Sequence, residues 1–354
     1  MNDAAAAVTI RYTRCPVPTA TAVALANGAF DALYADGVYR FRDIAELGPA
    51  AADAHYTHAI DYFFRDGGGG PPVWARANGA DSRLVGVTFM EELLGVWVRA
   101  DDPAGSVADL AGRRIALPRW PGLVFDFWRF AAEKGVASAL ARHGLAGHDV
   151  ERVDVIETAV GVVRASGDGG VREPGPGRPH GHQRQLEALV DGRVDAIFAR
   201  GADAVRMERA AGGAVRLLYD LRDSPSLDDR VNNSSPRLVT VGAPLLRDHP
   251  EAVVRYLQGL LRASSWALAH VDQTARILAR ECGIDAADMA RAFEPGFAKR
   301  LAPTLARDAV DTVRTMKAFL VGRGIVRRDF DLDRWVDGGP LDEALARERQ
   351  SASA

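Results

Sequence analysis

Residues 11–20, RYTRCPVPTA, set Cys15 between a run of strand-forming residues and two prolines, Pro16 and Pro18. A thiol offers two chemistries. Its thiolate attacks an electrophilic centre, and the thiol, with a reference pKa of about 8.5, donates a proton. Downstream, HYTHAIDYFFRDGGGGPP supplies His55, His58, Arg65 and a glycine run from Gly67 to Gly70. Histidine tunes a thiol or relays its proton. The planar fork of arginine matches an oxyacid, and successive glycine N–H groups can cradle an anion. Each feature also has an ordinary reading: cysteine as a buried spacer, arginine and histidines as solvated surface, glycines as a plain turn. The second of the two cysteines, Cys282 in ARECGIDAADMA, fits the spacer reading. Its distance in sequence from the His/Arg/Gly set predicts that Cys282→Ser costs little activity.

Two other groups bear on function. His180 and His182, in the sequence HGH, have the chemistry of metal ligands, but no third ligand accompanies them and a solvated linker is the simpler expectation. The aromatic residues from Trp120 to Phe130 suit either a core or a wall against which an aromatic ligand stacks. No phosphate-loop, dinucleotide or zinc-finger motif occurs.

The elements that must position these residues alternate. Val8 to Tyr12 is rich in β-formers and predicts a strand, which Pro16 and Pro18 stop; Thr19 then caps a helix ending near Asn27-Gly28. VYRFRDI, LVGVTF, Arg114 to Leu117, VERVDVIE, DAIFA, AVRLLYDL and RLVTVGAP predict further strands, with helices at VWARAN, Leu123–His143 and QLEALV. From His249 to Leu320 the pattern is almost wholly helical. Residues 166–182, SGDGGVREPGPGRPHGH, form a Gly/Pro-rich loop. Alternation predicts an α/β fold with two lobes and largely parallel sheets, with the helical C-terminal third packed on the first lobe. The expected division is 1–100 plus 216–354 for lobe I and 101–215 for lobe II. In such sheets ligands bind beyond the carboxyl ends of strands. Cys15 follows the first strand directly, so it should face that crevice.

Composition narrows the classes. With 354 residues, 47% hydrophobic and 26% charged, the chain has the make-up of a globular protein of about two domains. A net charge of −3 gives no basic field for nucleic acid or anionic membrane. Two cysteines make no disulfide framework. MNDAAAAVTIRYTR has no basic n-region and no long apolar run, and no stretch of about 18 apolar residues follows, so a cytoplasmic protein is expected.

RYTRCPVPTA resembles the N-terminal motif of the 2'-hydroxybiphenyl-2-sulfinate desulfinases, enzymes of aromatic desulfurisation on the scaffold of nitrate/sulfonate/taurine-type (type II) periplasmic binding proteins. SVADLAGRRIALP, LVDGRVDAIF and GFAKRLAPTLARDAVDTVRTMKAFLVGRGIV with DLDRW extend the resemblance over nearly the whole chain. The resemblance implies that Cys15 is catalytic, that His55 sets its protonation and that Arg65 binds the sulfinate, with Gly67 and Gly68 as oxyanion glycines. His58 fits the spacing less well and is not carried over. It further implies a monomeric hydrolase of a small aromatic sulfinate that releases sulfite without cofactor or metal. The alternative on the same scaffold is a substrate-binding protein for a sulfonate or nitrate transporter, which gives Cys15 no role.

Overall fold

The computed structural model of the chain describes residues 7–48, 51–157 and 180–353. The expected loop at 166–182 therefore lies outside the described residues except for its last three. The described strands form two five-stranded sheets. The first runs β2 (Tyr39–Asp43), β1 (Val8–Arg14), β3 (Phe63–Gly68), β10 (Arg237–Gly242), β4 (Ser82–Thr88). The second runs β7 (Glu151–Ile156), β6 (Arg114–Arg119), β8 (Ala196–Arg200), β5 (Leu94–Arg99), β9 (Val215–Asp220). Both have one plan: the strands are parallel except the fourth, β10 or β5, which is antiparallel to both neighbours. In each sheet that strand is the one arriving from the other sheet. The two α/β lobes expected from strand–helix alternation are present.

The crossings lie elsewhere than expected. Bounds near residues 100 and 215 assign β5 and most of β9 to the first lobe, but both pair in the second sheet, so the chain crosses at 89–93 and 221–236. The Asp/Pro stretch after Arg99 has the composition of a boundary because it is a turn, yet it joins two strands of one lobe. Phe63–Gly68 and Leu94–Arg99, to which the sequence reading gives no strand, are strands as well. Every residue of β3 is buried, so it shows no alternation, and its terminal glycines mimic a turn.

Helices fill the connections: α1 (Ala20–Ala26), α2 (Ala54–Thr57), α3 (Gly70–Ala77), α4 (Phe127–Arg142), α5 (Gln183–Val190) and α6 (Gly201–Ala210). Thr19 caps α1 as expected, its Oγ1 accepting from Ala22 N at 3.2 Å. The C-terminal third holds α7 (Pro250–Ala269), α8 (Val271–Cys282), α9 (Arg307–Gly322) and α10 (Gly339–Ser353). It returns to the first sheet. Tyr256 of α7 stacks on Phe64 of β3 with centroids 4.0 Å apart, and its hydroxyl lies 2.6 Å from Thr21 Oγ1. Burying an aromatic ring of this kind stabilises by about 3 kcal/mol. Trp335 is fully buried beneath the same lobe and donates from Nε1 to Ser82 Oγ at 3.1 Å. Among the described residues no helix is long and apolar enough to cross a membrane.

Candidate active site

Strand periodicity assembles the site. In β3, successive side chains point to opposite faces, so Arg65 and Asp66 diverge. Asp66 turns to α1, where it accepts from Thr21 N at 3.3 Å and Thr21 Oγ1 at 2.8 Å. Arg65 turns to the cleft. On the neighbouring strand Thr13 and Cys15 are two residues apart and share a face. The ladder continues past the end of β1, because Cys15 N donates to Asp66 O at 3.0 Å. Val17 N then donates to Cys15 O at 2.8 Å, closing the tight turn that the two prolines favour.

Cys15, His55, Arg65 and Gly67, singled out in the sequence, come together. The thiol sulfur lies 3.5 Å from His55 Nε2 and 3.2 Å from Arg65 Nη2. Arg65 is 0% exposed; it donates from Nε to His55 O at 3.0 Å and from Nη1 to Gly68 O at 2.9 Å, with Nη2 3.4 Å from His55 Nε2. Guanidinium only donates, so His55 Nε2 accepts, and its protonated Nδ1 donates to Thr13 Oγ1 at 2.9 Å. Burial, reinforced by the charges of Arg65 and His58, holds His55 well below its ordinary 6.5. It is a neutral imidazole at pH 7.

Gly67 makes the arrangement possible. Its φ is +154°, where side chains are strained, and a Cβ there would collide with the Cys15 sulfur. At Gly68 a Cβ would stand 2.7 Å from Asn233 O.

The expected roles shift in three places. Arg65 is not an open fork: four of its five N–H groups have partners within the protein, and it stands behind Cys15 and His55 rather than on the cavity wall. The glycine run is not an open cradle, since Gly69 N donates to Asn233 O at 2.6 Å and Gly70 N to Asn233 Oδ1 at 3.3 Å. The HGH pair is no solvated linker. His180 and His182 are 7% and 2% exposed, with His182 Nδ1 2.9 Å from Gln185 Oε1 and its ring edge-on to Trp128. His58 stays out of the cluster, packed edge-on against Phe63.

A cavity of about 70 Å³ opens beside the thiol, between the carboxyl ends of β1 and β8. Cys15, Pro16, His55 and Tyr56 form one side; Phe127, Trp128 and Arg200 form the other. The aromatic cluster thus divides: Phe127 and Trp128 reach the cavity, whereas Phe125 and Phe130 belong to the core. Sequence reasoning missed Glu92, Arg200 and Ser234, which also line it. For Arg200 a signal existed, because it ends a parallel strand just as Cys15 follows one. Cys282 lines the cavity too, so its distance in sequence is no distance in space. Arg14 and Glu281, the residues before the two cysteines, are paired at 2.9 Å.

Two predictions arise here. Arg65→Ala removes a buried charge that holds the thiol, His55 and two carbonyls, each charged hydrogen bond being worth about 1.5–3 kcal/mol. Turnover should fall at least about hundredfold, mainly in kcat because Arg65 acts through Cys15 and His55, and Arg65→Lys should rescue it poorly for want of the planar fork. Unchanged kcat in Arg65→Ala would remove it from the site. The second concerns pH. Burial, with the charge of Arg65 adding to it, lowers His58 to about 3; burial lowers His182 to about 4. With His55, these rings take a proton near pH 6.5 when unfolded and only at lower pH when folded. Their contribution to stability is complete above pH 6.5 and is lost on acidification, at about 1.4 kcal/mol per pH unit each. Glu157, raised by burial to about 7, opposes one of them. Denaturant unfolding should therefore show stability falling from pH 7 to pH 5; a rise would contradict the neutral, buried imidazoles.

Two α/β lobes enclosing a cleft define the periplasmic-binding-protein scaffold, here edged by a strand-end cysteine between a neutral imidazole and a buried guanidinium. The aliphatic sulfonate-binding protein SsuA from Escherichia coli has this fold, with a TM-score of 0.64 at 16% identity over 93% of this chain and 92% of that one. The desulfurisation enzyme DszB is more similar: TM-score 0.75 at 26% identity, over 97% of this chain and 100% of that one. Its cysteine-to-serine mutant in complex with biphenyl-2-sulfinic acid gives 0.74. The 2'-hydroxybiphenyl-2-sulfinate desulfinases of Rhodococcus erythropolis and Rhodococcus qingshengii are each 30% identical over 98% of this chain and 96% of their own length. No family model matches. The chain belongs to the 2'-hydroxybiphenyl-2-sulfinate desulfinase family.

Proposed function

We propose that the protein is an aryl-sulfinate desulfinase: an aryl sulfinate and water give the arene and hydrogen sulfite. The observation that carries the reading is the contact of one thiol with both His55 Nε2 and Arg65 Nη2 at the edge of a cavity walled by aromatic rings. The substrate ring lies against Phe127 and Trp128, and the sulfinate comes to Cys15. Two routes use the same groups. In one, the thiol protonates the ring carbon as the C–S bond breaks, and water takes up the sulfur dioxide released. In the other, the thiolate attacks sulfur, the ring leaves as its carbanion and takes a proton, and water hydrolyses the cysteine–sulfur adduct to sulfite. Both pass through an anionic Cys15 sulfur, which the Arg65 N–H stabilises. His55, kept neutral, accepts the thiol proton transiently, and Thr13 holds its tautomer. Each lobe bears one side of the cavity. Closure of the two lobes over the bound sulfinate would exclude bulk water from the thiol.

A transporter-type binding protein explains the scaffold but not the thiol cluster. The two readings separate on an aryl sulfinate and the matching aryl sulfonate. The enzyme releases sulfite from the sulfinate and is only inhibited by the sulfonate. A binder returns both intact.

A further inference from the structure

Across the cavity from the thiol, several polar groups have donors and acceptors that the desulfination step leaves unused. Arg200 ends β8 immediately before α6 and is 8% exposed. Its Nη1 donates to Ser234 Oγ at 2.7 Å and lies 3.4 Å from each carboxylate oxygen of Glu92. Its Nε has no partner among the described residues. The guanidinium lies over Trp128, 5.5 Å from the ring centroid, which fixes it on the wall that would hold the substrate ring. Arg237, 0% exposed, has Nε, Nη1 and Nη2 all without partners among the described residues. Arg237 lies over Phe293, at 5.7 Å, and Phe293, Glu92 and Ser234 all line the cavity. Buried guanidinium N–H groups left open are costly in a dry protein, so this wall is built for an occupant that accepts hydrogen bonds.

Charge says which kind. The charged residues that line the cavity, Arg200 and Arg206 against Glu92 and Asp203, balance. An anion on this wall would be uncompensated beside Glu92. The occupant is therefore neutral. A hydroxyl matches both partners at once: its oxygen accepts from Arg200 Nε–H, and its proton goes to the Glu92 carboxylate.

We propose that Glu92, Arg200 and Ser234 form a polar subsite that recognises a hydroxyl on the substrate, on the ring away from the C–S bond. The proposal rests on the desulfinase reading and assigns residues to a substituent that the relatives' name contains and biphenyl-2-sulfinic acid lacks. Those two sulfinates are the matched probes. In the wild-type protein, kcat/KM for sulfite release should favour 2'-hydroxybiphenyl-2-sulfinate over biphenyl-2-sulfinate by about tenfold or more. Glu92→Gln, which keeps shape and removes the charged acceptor, should bring the ratio below about threefold, chiefly by raising KM for the hydroxylated substrate. A wild-type ratio near one overturns the subsite without any variant. So does an undiminished ratio in folded Glu92→Gln. Sulfite from neither sulfinate overturns instead the desulfinase reading beneath it.

Discussion

Cys15→Ser should abolish sulfite release while leaving the fold and sulfinate binding in place. The residue ends a strand in a turn held by backbone bonds, Cys15 N to Asp66 O and Val17 N to Cys15 O, which a serine keeps. Arg65 Nη2 would donate to the hydroxyl as it does to the sulfur. What changes is chemistry. An alkyl hydroxyl is a far weaker acid than a thiol and, with only a neutral imidazole beside it, a poor nucleophile at pH 7. Turnover should fall by about a thousandfold or more, with the melting temperature nearly unchanged. Alkylation should inactivate the wild type and bound sulfinate should slow it. Peptide mapping must identify the labelled residue, because Cys282 lines the same cavity. Wild-type turnover in Cys15→Ser would show that the thiol is scaffold.

Gly67→Ala should be nearly as damaging without removing any reactive atom. The methyl group would enter the space of the Cys15 sulfur and its Cβ, and the backbone at φ +154° resists a side chain. The thiol must move away from His55 and Arg65. We expect turnover to drop at least about hundredfold and stability by about 1–3 kcal/mol. Gly79→Ala separates the two effects. It is strained at φ +98° but has nothing within 4 Å, so it should lower stability and leave turnover alone. Equal kinetic losses in both variants would mean that backbone strain, not thiol position, is responsible.

The sequence carried the near half of the site and little of the far half. Cys15, His55, Arg65 and Gly67 lie within about fifty residues on adjacent parallel strands and their connection, so a motif can hold them together. The roles were less legible than the residues. Whether an arginine faces a ligand or a thiol depends on which carbonyls surround it, and here His55 O and Gly68 O take the N–H groups expected for the sulfinate. Glu92, Ser234 and Cys282 meet only because β5 and β10 change sheets and α8 folds back, which no local pattern records. Phe63–Gly68 escaped notice as a strand because its glycines serve close approach to Cys15 and Asn233 rather than a turn. At HGH the composition suggested solvent, yet Gly181 is present because any side chain would strike Trp128.

The most direct measurement of the central claim is a single-turnover reaction of the purified protein, in excess, with 2'-hydroxybiphenyl-2-sulfinate, followed for both products. Desulfination by the Cys15 cluster requires one equivalent of sulfite and one of 2-hydroxybiphenyl, appearing together. Recovery of the sulfinate intact from protein that binds it would contradict the claim and leave the scaffold as a binder.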